Sequence, residues 1–301
     1  KVYLVFKQSV NNNDKECKCM LLYYGYCLTG FILNRIFMSY TGGGSNGKSF
    51  GFEVIGKLTA GSGYLVYVGN NFFSERGGNG ENKMWEPISQ ITRCIVNQEI
   101  GDQYKEDTII PSGKIKTYTD DTPADIFIEK YGIQEASRKF ELRAKINMLS
   151  NFQPKFNGGD GGIATRGMMA SFNNKFIDKP TKKQLGKMTL EEYLVWYSKA
   201  KEKGRTCYYK DVNFLSKLDI KHDKYDKIFR YGVLTLMLKY ACKAIKLGTN
   251  LKSNLYEGWV DRFRACLINN QNPIDLFIDE YIDAVPNDED KKNRLGKIEL
   301  K

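Results

Sequence analysis

Eight residues constrain this chain more than any others: GGGSNGKS at positions 42–49, set between two apolar runs of different spacing. Before them, Arg35-Ile-Phe-Met-Ser-Tyr40 reads as a short buried strand. After them, Phe50, Phe52, Val54, Ile55 and Leu58 recur at the spacing of one helix face. The eight fit G-x-x-x-x-G-K-[ST], and the positions have physical reasons. Gly42, Gly43, Gly44 and Gly47, with Ser45 and Asn46 between them, let backbone N–H groups curve around phosphate oxygens, and the following helix presents its positive end. Lys48 reaches the β- and γ-phosphates, and Ser49 ligates magnesium. The expected ligands are ATP and Mg2+.

Other strands are expected at Tyr64-Leu-Val-Tyr-Val68, Arg93-Cys-Ile-Val96 and Ala144-Lys-Ile-Asn-Met-Leu-Ser-Asn151, and Pro87 is a plausible first-turn residue for a helix through Ile91. Strands alternating with helices argue for an α/β fold with a parallel sheet. Ligands of such sheets bind beyond the carboxyl ends of the strands. Three strands deliver polar groups to that edge: the loop after Tyr40, Glu99 after Val96, and Asn151 after Leu149. Glu99 is the candidate to orient or deprotonate water and, with Ser49, to hold the metal, although Gln98 stands where an acid often precedes such a glutamate. Asn151 is a candidate sensor of the γ-phosphate. Residues 76–83 (RGGNGENK) read as a polar loop.

After Asn174 the pattern becomes mainly helical. A long helix is expected over residues 225–247, with Leu234, Leu238, Ala241 and Ile245 on its apolar face and Gly248 as its cap. The expected organisation is a helical lead-in over residues 1–34, a nucleotide-binding core over 35–176 and a basic, mostly helical region over 177–301. The net charge of the 301 residues is +11, and residues 175–301 carry eight of those charges. Such an excess either attracts polyanions, of which nucleic acid is the commonest, or forms a solvated lysine-rich surface that keeps the protein in solution. The seven cysteines show no CxxC pair and His222 is the only histidine, so a structural zinc site is not expected and a reducing intracellular compartment is. No charge-free stretch is long enough for a membrane-spanning helix, and no membrane partner is expected. Lys1 in place of an initiator Met suggests a piece of a longer chain.

With these motifs in place, the chain resembles superfamily 3 helicases, and among them the primase–helicases of poxviruses and other nucleocytoplasmic large DNA viruses. The resemblance runs from about Leu21 to Phe176. It is carried by LYYGYCLTG at 22–30, GSNGKS at 44–49, RCIVNQE at 93–99, IKTYTDD at 115–121, NFQP at 151–154, and Arg166 before the apolar run 167–172. It implies an AAA+-like ring ATPase, usually a hexamer, with nucleotide between subunits. By that analogy Arg166 is an arginine finger acting on the neighbouring subunit's nucleotide, and Lys116 a second cation acting in trans. A hairpin from residues 126–130 and 136–140 would line a central pore and offer Lys130, Arg138 and Lys139 to DNA. Residues 272–282 resemble the amphipathic helix that follows the motor in that family, and a primase domain of the same parent chain would lie before Lys1.

The expected function is therefore an ATP-dependent DNA helicase motor for viral DNA replication, acting on single-stranded or forked DNA in the host cytoplasm. Alternatives are a nucleotide-binding ring scaffold on DNA with little hydrolysis, and a packaging or remodelling ring NTPase.

Overall fold

The computed structural model describes residues 2–73, 85–98, 109–128, 138–157, 161–269, 282–284 and 298–300. Two helices open the chain, α1 (Val2–Ser9) and α2 (Asp14–Cys27). The Asn13 side chain caps α2 by accepting from the Glu16 amide at 3.1 Å. Strand β1 (Phe37–Thr41) then enters the glycine loop, and α3 (Phe50–Thr59) leaves it.

Four more strands join β1: β2 (Leu65–Val68), β3 (Cys94–Asn97), β7 (Lys145–Ser150) and β9 (Gly167–Ser171). They form one sheet in the order β2-β3-β7-β1-β9, and every pairing in it is parallel. The strand bearing the loop thus lies inside the sheet, between β7 and β9, with helices packed on the sheet. This is an α/β fold with a central parallel sheet flanked by helices, as expected from the sequence.

Both faces of the sheet are buried, which explains why its strands read as nearly continuous apolar runs. Met38, Tyr40, Cys94, Val96, Leu149, Met168 and Ala170 point into a core shared with α1, α2, α3 and the long helix Lys227–Leu247. Phe37, Ile95, Ile146, Met148 and Met169 alternate to the other face and pack with Phe263 and Cys266 of the helix Gly258–Asn269. In the first core α2 and the long helix are in such close contact that a Cβ on Gly25 would lie 2.4 Å from the Tyr240 carbonyl carbon.

Smaller pairings surround the sheet. β4 (Ile109–Pro111) runs parallel to β8 (Lys155–Asn157), and β10 (Lys175–Ile177) runs parallel to β11 (Cys207–Tyr209). β5 (Ala124–Ile128) pairs antiparallel with β6 (Arg138–Leu142), which supplies the two strands of the expected hairpin.

Two expectations are corrected. No helix runs from Pro87 to Ile91: successive turns occupy these residues, held by the Thr92 hydroxyl, which accepts from the Ser89 amide at 3.0 Å and donates to the Gly63 carbonyl at 3.0 Å. The long helix forms and is closed by Gly248, whose amide donates to the carbonyls of Ala244 and Ile245, but its buried face is Val233, Met237, Ala241 and Ala244. Leu238 and Ile245, expected on that face, are exposed. Among the described residues no helix is long and apolar enough to cross a membrane.

Candidate nucleotide site

Three backbone positions shape the loop after β1. Gly42 and Gly47 have φ of 145° and 87°, values that a glycine reaches without strain, and Ser45 between them is also left-handed, with φ of 57°. Close packing holds the loop from behind. A Cβ on Gly42 would lie 2.2 Å from the Phe172 carbonyl oxygen. The buried Asn46 donates to that same oxygen at 3.0 Å and accepts from the Lys48 amide at 3.3 Å, so one side chain ties the loop to the end of β9 and to its own lysine. Gly44, by contrast, faces open space.

The start of α3 is fixed by aromatic packing. A Cβ on Gly51 would strike the Tyr24 ring, and Phe52 makes edge contacts with Tyr24 and Tyr40 at centroid distances of 5.3 and 5.1 Å. These contacts aim the helix N-terminus at the loop.

The sheet brings the next group into place. Lys48 Nζ donates to the Gly42 carbonyl at 2.7 Å and to Asn151 Oδ1 just beyond β7. The loop lysine and the candidate sensor therefore meet, although 103 positions separate them in sequence. Gly44, Lys48, Ser49, Gln98, Leu149 and Asn151 are among the walls of one cleft of about 290 Å³. A β3 end, a β7 end and the loop converge there, the edge expected from the sequence. Glu99, the residue after Gln98, lies outside the described residues, so the carboxylate expected at this edge is not placed.

Ser49 donates its hydroxyl to Glu53 Oε1 at 2.6 Å, one helical turn on. Hydroxyl and carboxylate oxygens side by side suit a hard cation such as Mg2+. Glu53 was not singled out from the sequence, where its only signal is its position four residues after Ser49 on the same helix face.

A second hollow of about 320 Å³ adjoins the cleft and shares Ser45, Gly47 and Ser49 with it. Its walls include the aromatic rings Phe50, Phe176 and Phe214, together with Gln8 and Asp211. Sequence reading missed this hollow because α1, α3, β10 and the segment after β11 each supply only part of it.

The remaining candidates lie elsewhere. Arg166 ends the helix Gly161–Arg166, immediately before β9, and so stands at the opposite end of the parallel sheet from the loop. Its side chain is largely buried; it donates to the Gly162 carbonyl at 3.1 Å and pairs with Asp120 at 3.2 Å. Among the described residues its buried Nε has no hydrogen-bond partner. Asp120 also pairs with Arg35 at 3.1 Å. Lys116 belongs to the helix Ser112–Tyr118, which packs against the helix of Arg166, so these two candidates are brought together away from the loop.

On the hairpin, Lys139 pairs with Asp125 at 2.9 Å and lies over the exposed Phe127 ring, 5.0 Å from its centroid. Arg138 sits in β6 opposite Ile128. Lys130, like residues 76–83 and 272–281, lies outside the described residues.

No protein-family model and no curated protein matches the chain. Among solved structures, the A-form apo structure of the NrS-1 C-terminal region is similar over 92% of this chain and 55% of that one, with 8% identity and a TM-score of 0.49. A second apo structure of that region, residues 305–718, is similar over 82% of this chain and 50% of that one, with 11% identity and a TM-score of 0.41. The X-ray structure of the JCV helicase is similar over 84% of this chain and 65% of that one, with 10% identity and a TM-score of 0.35. The chain spans about half the length of the NrS-1 structures.

Proposed function

We propose that this chain is the motor of a DNA helicase, which binds ATP with Mg2+ at Gly42, Gly43, Gly44, Ser45, Asn46, Gly47, Lys48 and Ser49. It hydrolyses the nucleotide between neighbouring copies in a ring, a hexamer by resemblance, and so moves along single-stranded or forked DNA during viral replication. The observation that carries the reading is the contact of Lys48 with Asn151 inside a cleft walled by the loop and by the ends of β3 and β7.

In this reading Lys48 binds the outer phosphates, Asn151 orients the γ-phosphate or the attacking water, and Glu99 is the general base. Ser49 and Glu99 hold Mg2+, which when bound neutralises phosphate charge. The hollow walled by Phe50, Phe176 and Phe214 takes the base. Arg166 and Lys116 act on the neighbour's nucleotide, and Lys130, Arg138 and Lys139 contact the DNA backbone.

The test is steady-state ATP hydrolysis with and without single-stranded DNA at fixed low salt. Turnover that DNA stimulates and that Lys48→Ala abolishes is the expected result. One observation favours a second reading: the residue that lines the cleft at the end of β3 is Gln98, where an acid would assist the metal. Tight ATP binding without turnover in either condition would sink the motor and favour a nucleotide-binding scaffold.

A further inference from the structure

The glycine loop is approached by two cations from outside its own motif. β10 runs beside it: the Phe176 amide donates to the Ser45 carbonyl at 2.7 Å, and the Lys175 ammonium donates to the Gly44 carbonyl at 3.0 Å. Arg205, two residues before β11, places Nη1 3.3 Å from where a Cβ on Gly43 would sit. A single carboxylate serves both cations. Glu202, 15% exposed, lies 3.8 Å from Lys175 and 3.7 Å from Arg205.

The root of Arg205 is fixed while its head is accessible. Its amide donates to the Glu202 carbonyl at 2.9 Å, its carbonyl accepts the Ser198 hydroxyl at 2.6 Å, and the turn before it passes through Lys203 and Gly204, both at positive φ. The Arg205 side chain is nevertheless 45% exposed, so the guanidinium can exchange partners without moving the backbone.

Two cations sharing one carboxylate leave a positive charge against Gly43 and Gly44, beside a loop shaped for phosphate. The direction of a bound triphosphate follows from the two cavities. Gly44 lines the cleft and not the aromatic hollow, so a nucleotide whose base occupies the hollow extends its outer phosphates toward Gly44. A guanidinium presents a planar fork that matches phosphate oxygens, which a carboxylate at 3.7 Å holds only loosely.

We infer that Arg205 is a binding residue for the terminal phosphate within the same subunit: on arrival of a nucleoside triphosphate its guanidinium leaves Glu202 for a γ-phosphate oxygen, and Lys175 keeps the carboxylate. The inference rests on the phosphate-loop reading above. It makes Arg205, from a segment with no motif of its own, a group that helps to distinguish triphosphate from diphosphate.

The test is calorimetric titration of the full chain with a non-hydrolysable ATP analogue and with ADP, for the wild type, Lys48→Ala, Arg205→Ala and Arg205→Lys. Arg205→Ala is expected to weaken the analogue about tenfold or more, the range of a charge-assisted hydrogen bond. ADP affinity stays within about twofold, since the γ-phosphate is the only group whose contact is lost. Arg205→Lys, which keeps the charge and loses the fork, is expected to fall between. Equal losses for the two nucleotides, or no loss for either, overturn the inference alone. A wild-type chain that binds neither nucleotide, or binding that Lys48→Ala leaves intact, overturns the phosphate-loop reading and this inference with it. Arg205→Gln serves in place of Arg205→Ala if the latter melts earlier than the wild type.

Discussion

Lys145 is the most deeply buried cation of the sheet. It opens β7, donates its Nζ to the Thr29 carbonyl, and lies 4.5 Å from the centroid of the Tyr26 ring. Burial pushes its pKa from the ordinary 10.5 down to about 7, and Arg93 nearby pushes the same way. Between these two values the unfolded chain holds a proton that the folded chain has released. The cost of burying the charge is therefore complete below pH 7 and is relieved as the pH rises toward 10.5. A Lys145→Met variant lacks this dependence. The wild-type melting temperature, measured relative to that variant, is expected to climb between about pH 6.5 and pH 8.5; a constant difference would mean that the ammonium stays charged throughout. In the sequence this lysine is one residue of the expected strand 144–151 and nothing more, because nothing local shows that Thr29 and Tyr26 come from α2 and its exit to cover it. The site residues divide in the same way. Lys48 and Asn151 were legible because each closes a local pattern that the sheet then brings together. Glu53 and Arg205 were not, since they make their contacts with groups that no short motif records.

At the scale of elements, four of the five strands of the central sheet were legible as apolar runs, three of them leading into polar residues, and their observed limits differ from expectation by one or two residues. The face of the long helix Lys227–Leu247 was not. Sequence periodicity favours the largest apolar residues, yet the helix turns Ala241 and Ala244 inward and leaves Leu238 and Ile245 outside. The cause is its partner: Gly25 of α2 lets the two backbones approach so closely that only small side chains fit between them. Gly25→Ala is accordingly expected to destabilise the chain by about 1–3 kcal/mol or more, as overpacking does, because the new methyl meets backbone rather than a movable side chain. Chemical denaturation would measure this. A loss below about 0.5 kcal/mol, the size of an ordinary surface substitution, would show that the helices separate easily. The turns after Pro87 were illegible for a related reason, since the Thr92 hydroxyl satisfies the amide that a helix would otherwise have used.

At the scale of the whole molecule, the parallel sheet has a front and a back. The loop, Gln98 and Asn151 gather at the carboxyl ends of the strands, while Arg166 enters β9 at its amino end. In the proposed reading, where Arg166 serves a neighbour's nucleotide, a phosphate loop at one edge of the sheet and an arginine at the other suit head-to-tail association, in which each copy donates with one surface and receives with another. Such an arrangement gives two inactive variants a way to rescue each other. Lys48→Ala and Arg166→Ala subunits, each without turnover alone, are expected on mixing to regain part of the wild-type ATPase rate. The gain would come from those junctions where an intact loop faces an intact arginine. No gain at any mixing ratio, with association of the two variants verified, would mean that loop and arginine do not serve a shared site. The polarity of the sheet would thus pass directly into the assembly, giving it a single sense of rotation from one subunit to the next.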